Sequence, residues 1–118
     1  MPMRVLFVED ENDLREMVGD ALAESGFQVD LAQDGVEALR LLREGHSYDV
    51  LVSDIRMPGG VSGIDVSTEA FQRMPSLPII LVSGHAKTQL PELPAFVDFL
   101  AKPYRLGQLI RLLHAKVS

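Results

Sequence analysis

Five polar residues of this chain stand just after apolar runs. Glu9 and Asp10 follow Val5-Leu6-Phe7-Val8, and Asp54 follows Val50-Leu51-Val52-Ser53. Ser83 follows Ile79-Ile80-Leu81-Val82, and Lys102 follows Phe99-Leu100-Ala101. If the ends of those runs meet, three carboxylates, one hydroxyl and one ammonium share a pocket. Carboxylates that crowd together repel one another, so they need a cation or one of them must protonate. A hard divalent ion meets that need, and Mg²⁺ suits a shallow site with few carboxylates and several waters. Asp54 can then attack a phosphoryl group as an oxygen nucleophile, giving an acyl phosphate. Lys102 and the ion would neutralise the equatorial oxygens, and the Ser83 hydroxyl would donate to one of them. Gly84 leaves space for the incoming group.

Each residue alone has a plainer role. Glu9-Asp10 reads as a helix start with Asp10 as N-cap. Asp54 before Ile55-Arg56-Met57-Pro58-Gly59-Gly60 reads as a turn residue. Ser83 before Gly84 reads as a hydroxyl bonded to nearby backbone, and Lys102 before Pro103 as a solvated lysine. One fitting side chain at each of four run ends is what favours chemistry.

The elements that must position them follow from periodicity. Met3 to Val8 is a β-branched and aromatic strand. Leu14, Met17, Val18, Ala21 and Leu22 recur at helical spacing, and Gly26 stops that helix. Phe27 to Ala32 alternates, with Phe27, Val29 and Leu31 inward against Gln28 and Asp30, as an edge strand would. A second helix runs from about Asp34 to Glu44, with Val36, Ala38, Leu39, Leu41 and Leu42 as its apolar side, and ends at Gly45. The unbroken Val50-Leu51-Val52 in the strand Asp49 to Ser53 implies burial on both faces. A third helix runs from about Gly63 to Met74. Pro78 to Val82 is another buried strand.

From Ala86 to Ala95 the pattern decays. Pro91 and Pro94 remove backbone donors and limit any helix to one or two turns. Phe96 to Ala101 is the last strand. Leu106, Leu109, Ile110, Leu113 and Val117 form the cleanest helical stripe. Alternating strands and helices imply a doubly wound α/β fold with parallel strands and helices on both faces. The three most apolar strands belong at the centre, giving the order 2-1-3-4-5. In such a sheet all strand carboxyl ends share one rim, where ligands bind.

The chain has 118 residues, enough for one domain (1–118) and too few for two. Its 47% hydrophobic and 24% charged content is that of an ordinary folded domain. No apolar run approaches the roughly 20 residues of a membrane span. No signal stretch opens the chain, so the expected location is cytoplasmic and no membrane partner is expected. The absence of Cys excludes disulfides and thiolate chemistry. A net charge of −6 without a basic cluster argues against nucleic-acid binding through this chain.

Together the segments Val8-Glu9-Asp10-Glu11, Asp54-Ile55-Arg56-Met57-Pro58-Gly59, Leu81-Val82-Ser83-Gly84-His85 and Phe99-Leu100-Ala101-Lys102-Pro103 are highly specific. The chain closely resembles the receiver domain of two-component response regulators, over essentially its whole length. That resemblance implies a CheY-like, flavodoxin-like sheet with a shortened or irregular fourth helix. It implies Asp54 as phospho-acceptor, fed by a histidine kinase or histidine phosphotransfer protein in a phosphorelay. It implies Mg²⁺ held by Glu9, Asp10, Asp54 and the Arg56 backbone carbonyl, with Ser83 and Lys102 as the hydroxyl and lysine. Ser83 and Phe99 match the family's switch pair, and Lys102-Pro103 matches its cis bond. The implied product is a signalling switch, monomer or weak dimer, whose only catalysis acts on its own phosphorylation and dephosphorylation.

Two departures stand out. The stretch Met57-Pro58-Gly59-Gly60-Val61-Ser62-Gly63 is one residue longer than usual, a variant that resembles receivers attached to or encoded with hybrid sensor kinases. The segment between Ser83 and Lys102 is short and carries Pro91 and Pro94, so the usual output face should be remodelled. Arg56 and His85 flank the expected phosphoryl position, where they would tune its lifetime. Two competing readings are a binding module that keeps the fold without phosphorylation, and a small Mg²⁺ phosphatase using Asp54 as a transient nucleophile.

Overall fold

A computed structural model describes residues 2–85 and 89–117. The strands are β1 (Arg4–Val8), β2 (Gln28–Ala32), β3 (Val50–Asp54), β4 (Ile79–Ser83) and β5 (Asp98–Ala101). The helices are α1 (Asn12–Glu24), α2 (Gly35–Arg43), α3 (Gly63–Arg73) and α4 (Leu106–Val117). All four strand pairings are parallel and the sheet order is β2-β1-β3-β4-β5. The flavodoxin-like arrangement expected from the alternation is therefore the one observed.

Side-chain alternation divides the core into two halves. Val5, Phe7, Val50, Val52, Ile80 and Val82 point to one face, where Val18 and Leu22 of α1 and Leu109 and Leu113 of α4 cover them. Leu6, Val8, Leu51, Ile79 and Leu81 point to the other, under Ala38 and Leu42 of α2 and Val66 and Ala70 of α3. This is why β1, β3 and β4 read as unbroken apolar runs: they have no solvent face. Truncating one of these buried leucines to Ala would remove about 2–5 kcal/mol.

Several expectations are corrected in detail. Asp10 does not cap α1. Glu11 holds the N-cap position and makes no side-chain cap bond. The helix start is fastened instead by Arg15, whose guanidinium donates to the Glu9 carbonyl at 2.9 Å and to Asn12 Oδ1 at 2.6 Å. Met17, placed on the apolar stripe, is 54% exposed, and Val36 is 55% exposed. On edge strand β2, Leu31 is exposed and Asp30 is half-buried. Asp30 Oδ2 accepts from Tyr48 Oη at 2.7 Å and from Arg4 Nη2 at 3.0 Å. Between β4 and β5 no α-helix occurs among the described residues. Ala86, where a short helix was expected to begin, lies outside the described residues, and residues 89–97 form an irregular strap.

The connection from β3 to α3 decides how closely the helix approaches the strand end. Gly59 and Gly60 have φ of +95° and +81°, values that side chains resist. Ser62 caps α3, accepting from the Asp65 N–H while Asp65 accepts from the Ser62 N–H. Gly63 N–H donates to the Ile55 carbonyl at 2.8 Å. A Cβ at Gly63 would stand 2.1 Å from the Asp54 carbonyl oxygen, whereas one at Gly60 would meet nothing within 4 Å. Gly63→Ala should therefore destabilise by about 2–3 kcal/mol, against about 1 kcal/mol for Gly60→Ala, in urea denaturation. Equal losses would mean that the backbone absorbs the Gly63 clash.

Candidate functional site

Parallel pairing sets the strand ends side by side. Asp54 lies opposite Val82 and Ser83 opposite Ala101. The Lys102 N–H donates to the Ser83 carbonyl at 2.8 Å, which fixes where the lysine leaves the sheet. The Lys102-Pro103 peptide bond is cis, as expected from the resemblance.

Lys102 Nζ donates to Glu9 Oε1 at 2.8 Å and to Asp54 Oδ2 at 3.1 Å. Glu9 is buried, Asp54 is partly buried and Asp10 is exposed. One carboxylate oxygen from each of Glu9, Asp10 and Asp54 lies within 4.8 Å of the others. The second Glu9 oxygen accepts from the Glu11 N–H at 3.1 Å. Two buried or half-buried carboxylates thus share one ammonium, with a third beside them.

Titration of Asp54 reflects its burial first and that crowding second. Burial pushes the Asp54 carboxyl up to about 6, against the pull of Lys102, and Glu9 and Asp10 add to the rise. Burial also works against the charged lysine, but its hydrogen bonds to Glu9 and Asp54 outweigh it and raise the Lys102 pKa overall.

Ser83 is buried, and its Oγ accepts from the His85 N–H at 3.0 Å. That is the local turn bond anticipated for a serine before glycine. It uses only an acceptor lone pair, and the hydroxyl proton keeps its capacity to donate. A Cβ at Gly84 would meet nothing within 4 Å, so the space beside Ser83 is open. Phe99 is half-buried against the core face under α2 and α3. The Arg56 guanidinium donates to the Gln89 carbonyl at 3.2 Å, and His85 is exposed.

Two contributors escaped the sequence reading. Gly63 lets α3 seat against Asp54, and the signature Ser62-Gly63-Ile64-Asp65 could have announced that capped start. Tyr104, two residues beyond Lys102, buries a hydroxyl that finds no partner among the described residues. Burial, then Glu9, pushes its pKa up to about 12. Tyr104 also lines an open cleft of about 550 Å³ with Leu14, Met17 and Lys102. No pattern of spacing marks that residue.

The profile described as response regulator receiver domain matches residues 5–114. The chain belongs to the response regulator receiver family. This receiver is 34% identical to response regulator MprA of Mycobacterium sp. (strain KMS), covering 98% of its own length and 50% of that protein. It is 33% identical to the DNA-binding transcriptional regulator NtrC of Escherichia coli (strain K12), over 97% of this chain and 24% of that one. The receiver therefore spans half the length or less of these relatives. Among solved structures, the receiver domain of hybrid histidine kinase CckA superposes with a TM-score of 0.84 at 31% identity, covering 98% and 99% of the two chains. Response regulator TrrA of Thermotoga maritima, solved in complex with Mg²⁺-BeF, gives 0.85 at 29% identity, covering 97% and 98%. No helix among the described residues of this receiver is long and apolar enough to cross a membrane.

The raised Asp54 pKa has a direct consequence for stability. A carboxyl whose folded pKa lies above its unfolded value stabilises the fold fully only below the unfolded value. That contribution is lost as pH rises through the folded one. In the metal-free receiver the loss falls between about pH 4 and pH 6. Asp54→Asn should then stabilise the metal-free protein at pH 7, by at most about 3 kcal/mol. The gain should vanish below about pH 4 in thermal or urea unfolding. A destabilised variant at pH 7 would mean that the ion pair with Lys102 outweighs the crowding.

Proposed function

We propose that this chain is a single receiver unit in which Asp54 accepts a phosphoryl group from the phosphohistidine of a histidine kinase or phosphotransfer protein. The observation that carries the reading is the Lys102 ammonium held between Glu9 and Asp54, with the Asp10 carboxylate alongside. The Asp54 Oδ not held by Lys102 attacks phosphorus. The P–N bond to the donor imidazole breaks as the P–O bond forms, and the imidazole leaves with the bonding pair and takes up a proton. Lys102 balances charge on the transferring oxygens, and the Ser83 hydroxyl donates to one of them. Phosphorylation then shifts an existing equilibrium of the Ser83 turn and the Phe99 side chain.

The donor set fits Mg²⁺: hard oxygens only, and three close carboxylates around one ammonium. Asp10, Asp54 and the Arg56 carbonyl would hold the ion. Glu9, whose two oxygens already accept from Lys102 and Glu11, is suited to hold it through water. The bound ion supplies charge neutralisation at the phosphoryl oxygens. Nothing in this chain's charge or site chemistry calls for nucleic acid.

Incubation with acetyl phosphate followed by intact-mass measurement tests the reading. One phosphoryl adduct should form on the wild type with Mg²⁺, fall sharply on chelation, and be absent from Asp54→Asn. A folded wild type that gains no adduct would contradict it and favour a binding module that keeps the fold without phosphorylation.

A further inference from the structure

Glu9, Asp10 and Glu11 put carboxylates on consecutive residues, and α1 begins immediately after them. Like charges so placed repel one another. The N-cap residue Glu11 makes no side-chain bond to hold the turn. Two bonds fix the backbone of Glu9 instead. Its N–H donates to the Ala32 carbonyl, at the end of β2, at 3.0 Å. Its carbonyl accepts from Arg15 Nη1 at 2.9 Å, a bond that reaches back over the first turn of α1. Asn12 Oδ1 accepts from Arg15 Nη2 at 2.6 Å. Asn12 and Arg15 are neighbours on one helix face, so this second bond keeps the planar fork of the guanidinium aimed at the loop.

The carbonyl that Arg15 holds belongs to the peptide unit joining Glu9 to Asp10. That unit is planar, so fixing its oxygen fixes the direction in which Asp10 leaves it. Glu9 has other supports, since Lys102 Nζ and the Glu11 N–H hold its two carboxylate oxygens. Asp10 is exposed, and its place beside Glu9 and Asp54 depends on the backbone that carries it. Both Arg15 acceptors are neutral oxygens, although Glu11, Asp13 and Glu16 stand close by in the chain. The guanidinium is placed as a strut rather than as a counter-charge.

We propose that Arg15 is a positioning residue of the metal site: its bond to the Glu9 carbonyl presents the Asp10 carboxylate to the cation that Asp54 shares. The inference deepens the Mg²⁺ reading and rests on it. Charge and geometry forecast opposite results for its removal. Arg15 is a positive charge near an incoming cation, so as a charge alone its loss would tighten Mg²⁺ binding. As a strut, its loss lets Asp10 drift and weakens binding. Water and salt screen the charge effect at this open rim. Groups that orient metal ligands are commonly worth roughly 10–100-fold in affinity, so the loss of position prevails.

Mg²⁺ titration of the unphosphorylated receiver, followed by amide chemical shifts at fixed ionic strength, tests this with no phosphodonor. Arg15→Met keeps an apolar stem and removes every donor. Arg15→Lys keeps the charge and loses the fork that spans both acceptors. Both should bind Mg²⁺ about tenfold more weakly than the wild type. Ala23→Gly weakens the same helix at its far, exposed end and should bind as the wild type does. Hydrogen exchange of the Glu11 amide, bonded to Glu9 Oε2, gives a readout without metal. It should speed up in both Arg15 variants and stay unchanged in Ala23→Gly. Unchanged or tighter Mg²⁺ binding in Arg15→Met overturns the positioning role and leaves the metal reading standing. An equal loss of affinity in Ala23→Gly also overturns it, because helix stability alone would then explain the effect. A folded wild type that binds no Mg²⁺ overturns the metal reading, and the positioning role with it.

Discussion

One ammonium between two carboxylates sets the terms for the rest of the structure. Lys102 reaches from just past β5 to Glu9, which follows β1, and to Asp54 at the end of β3. A buried ion pair costs desolvation on both sides and is worth keeping only when its geometry is held. The sheet supplies that geometry. Apolar strands on both faces leave the strand ends no freedom to drift, and the Lys102 N–H bond to the Ser83 carbonyl fixes where the lysine departs. Yet one positive charge cannot balance three negative ones. The resting site is under-neutralised, and an incoming divalent cation would restore balance.

The same surplus links chemistry to movement. Groups that respond to a new charge must be close enough to feel it and weakly enough held to move. Ser83 satisfies both conditions, since its hydroxyl keeps a proton to donate. Arg56 is close by, and its bond to the Gln89 carbonyl is exposed. Phe99, in β5 and half-buried, stands where strand and strap meet.

Much of this was legible because strand ends are written plainly in the chain. Val50-Leu51-Val52 announces a strand with no solvent face, and the polar residue after it must then lie on the rim. Alternation in β2 placed that strand at the edge. The misreadings share a physical cause: tertiary partners overrode local preference. Asp10 is a good N-cap by type, but Arg15 and Glu9 fasten the helix start, and Asp10 stays exposed beside Asp54 and Glu9. Asp30 looked solvent-facing until Tyr48 and Arg4 met it. Met17 fits the helical stripe, yet the cleft beside Tyr104 leaves it open to solvent. Residues 89–95 were readable only as a place where prolines cut a helix short, without naming the contacts that replace it, and Phe96 and Val97, read as the start of the last strand, precede β5.

The most direct measurement is the pH titration of the Asp54 carboxyl carbon by ¹³C NMR, in metal-free protein and again with saturating Mg²⁺. A buried Asp54 carboxyl crowded by Glu9 and Asp10 predicts a midpoint of about 6 without metal, falling well below the ordinary carboxylate value when Mg²⁺ is bound. A midpoint near the ordinary value of about 4 that Mg²⁺ leaves unmoved would contradict it. Lys102 would then already balance the site, with no surplus charge left for a cation to relieve.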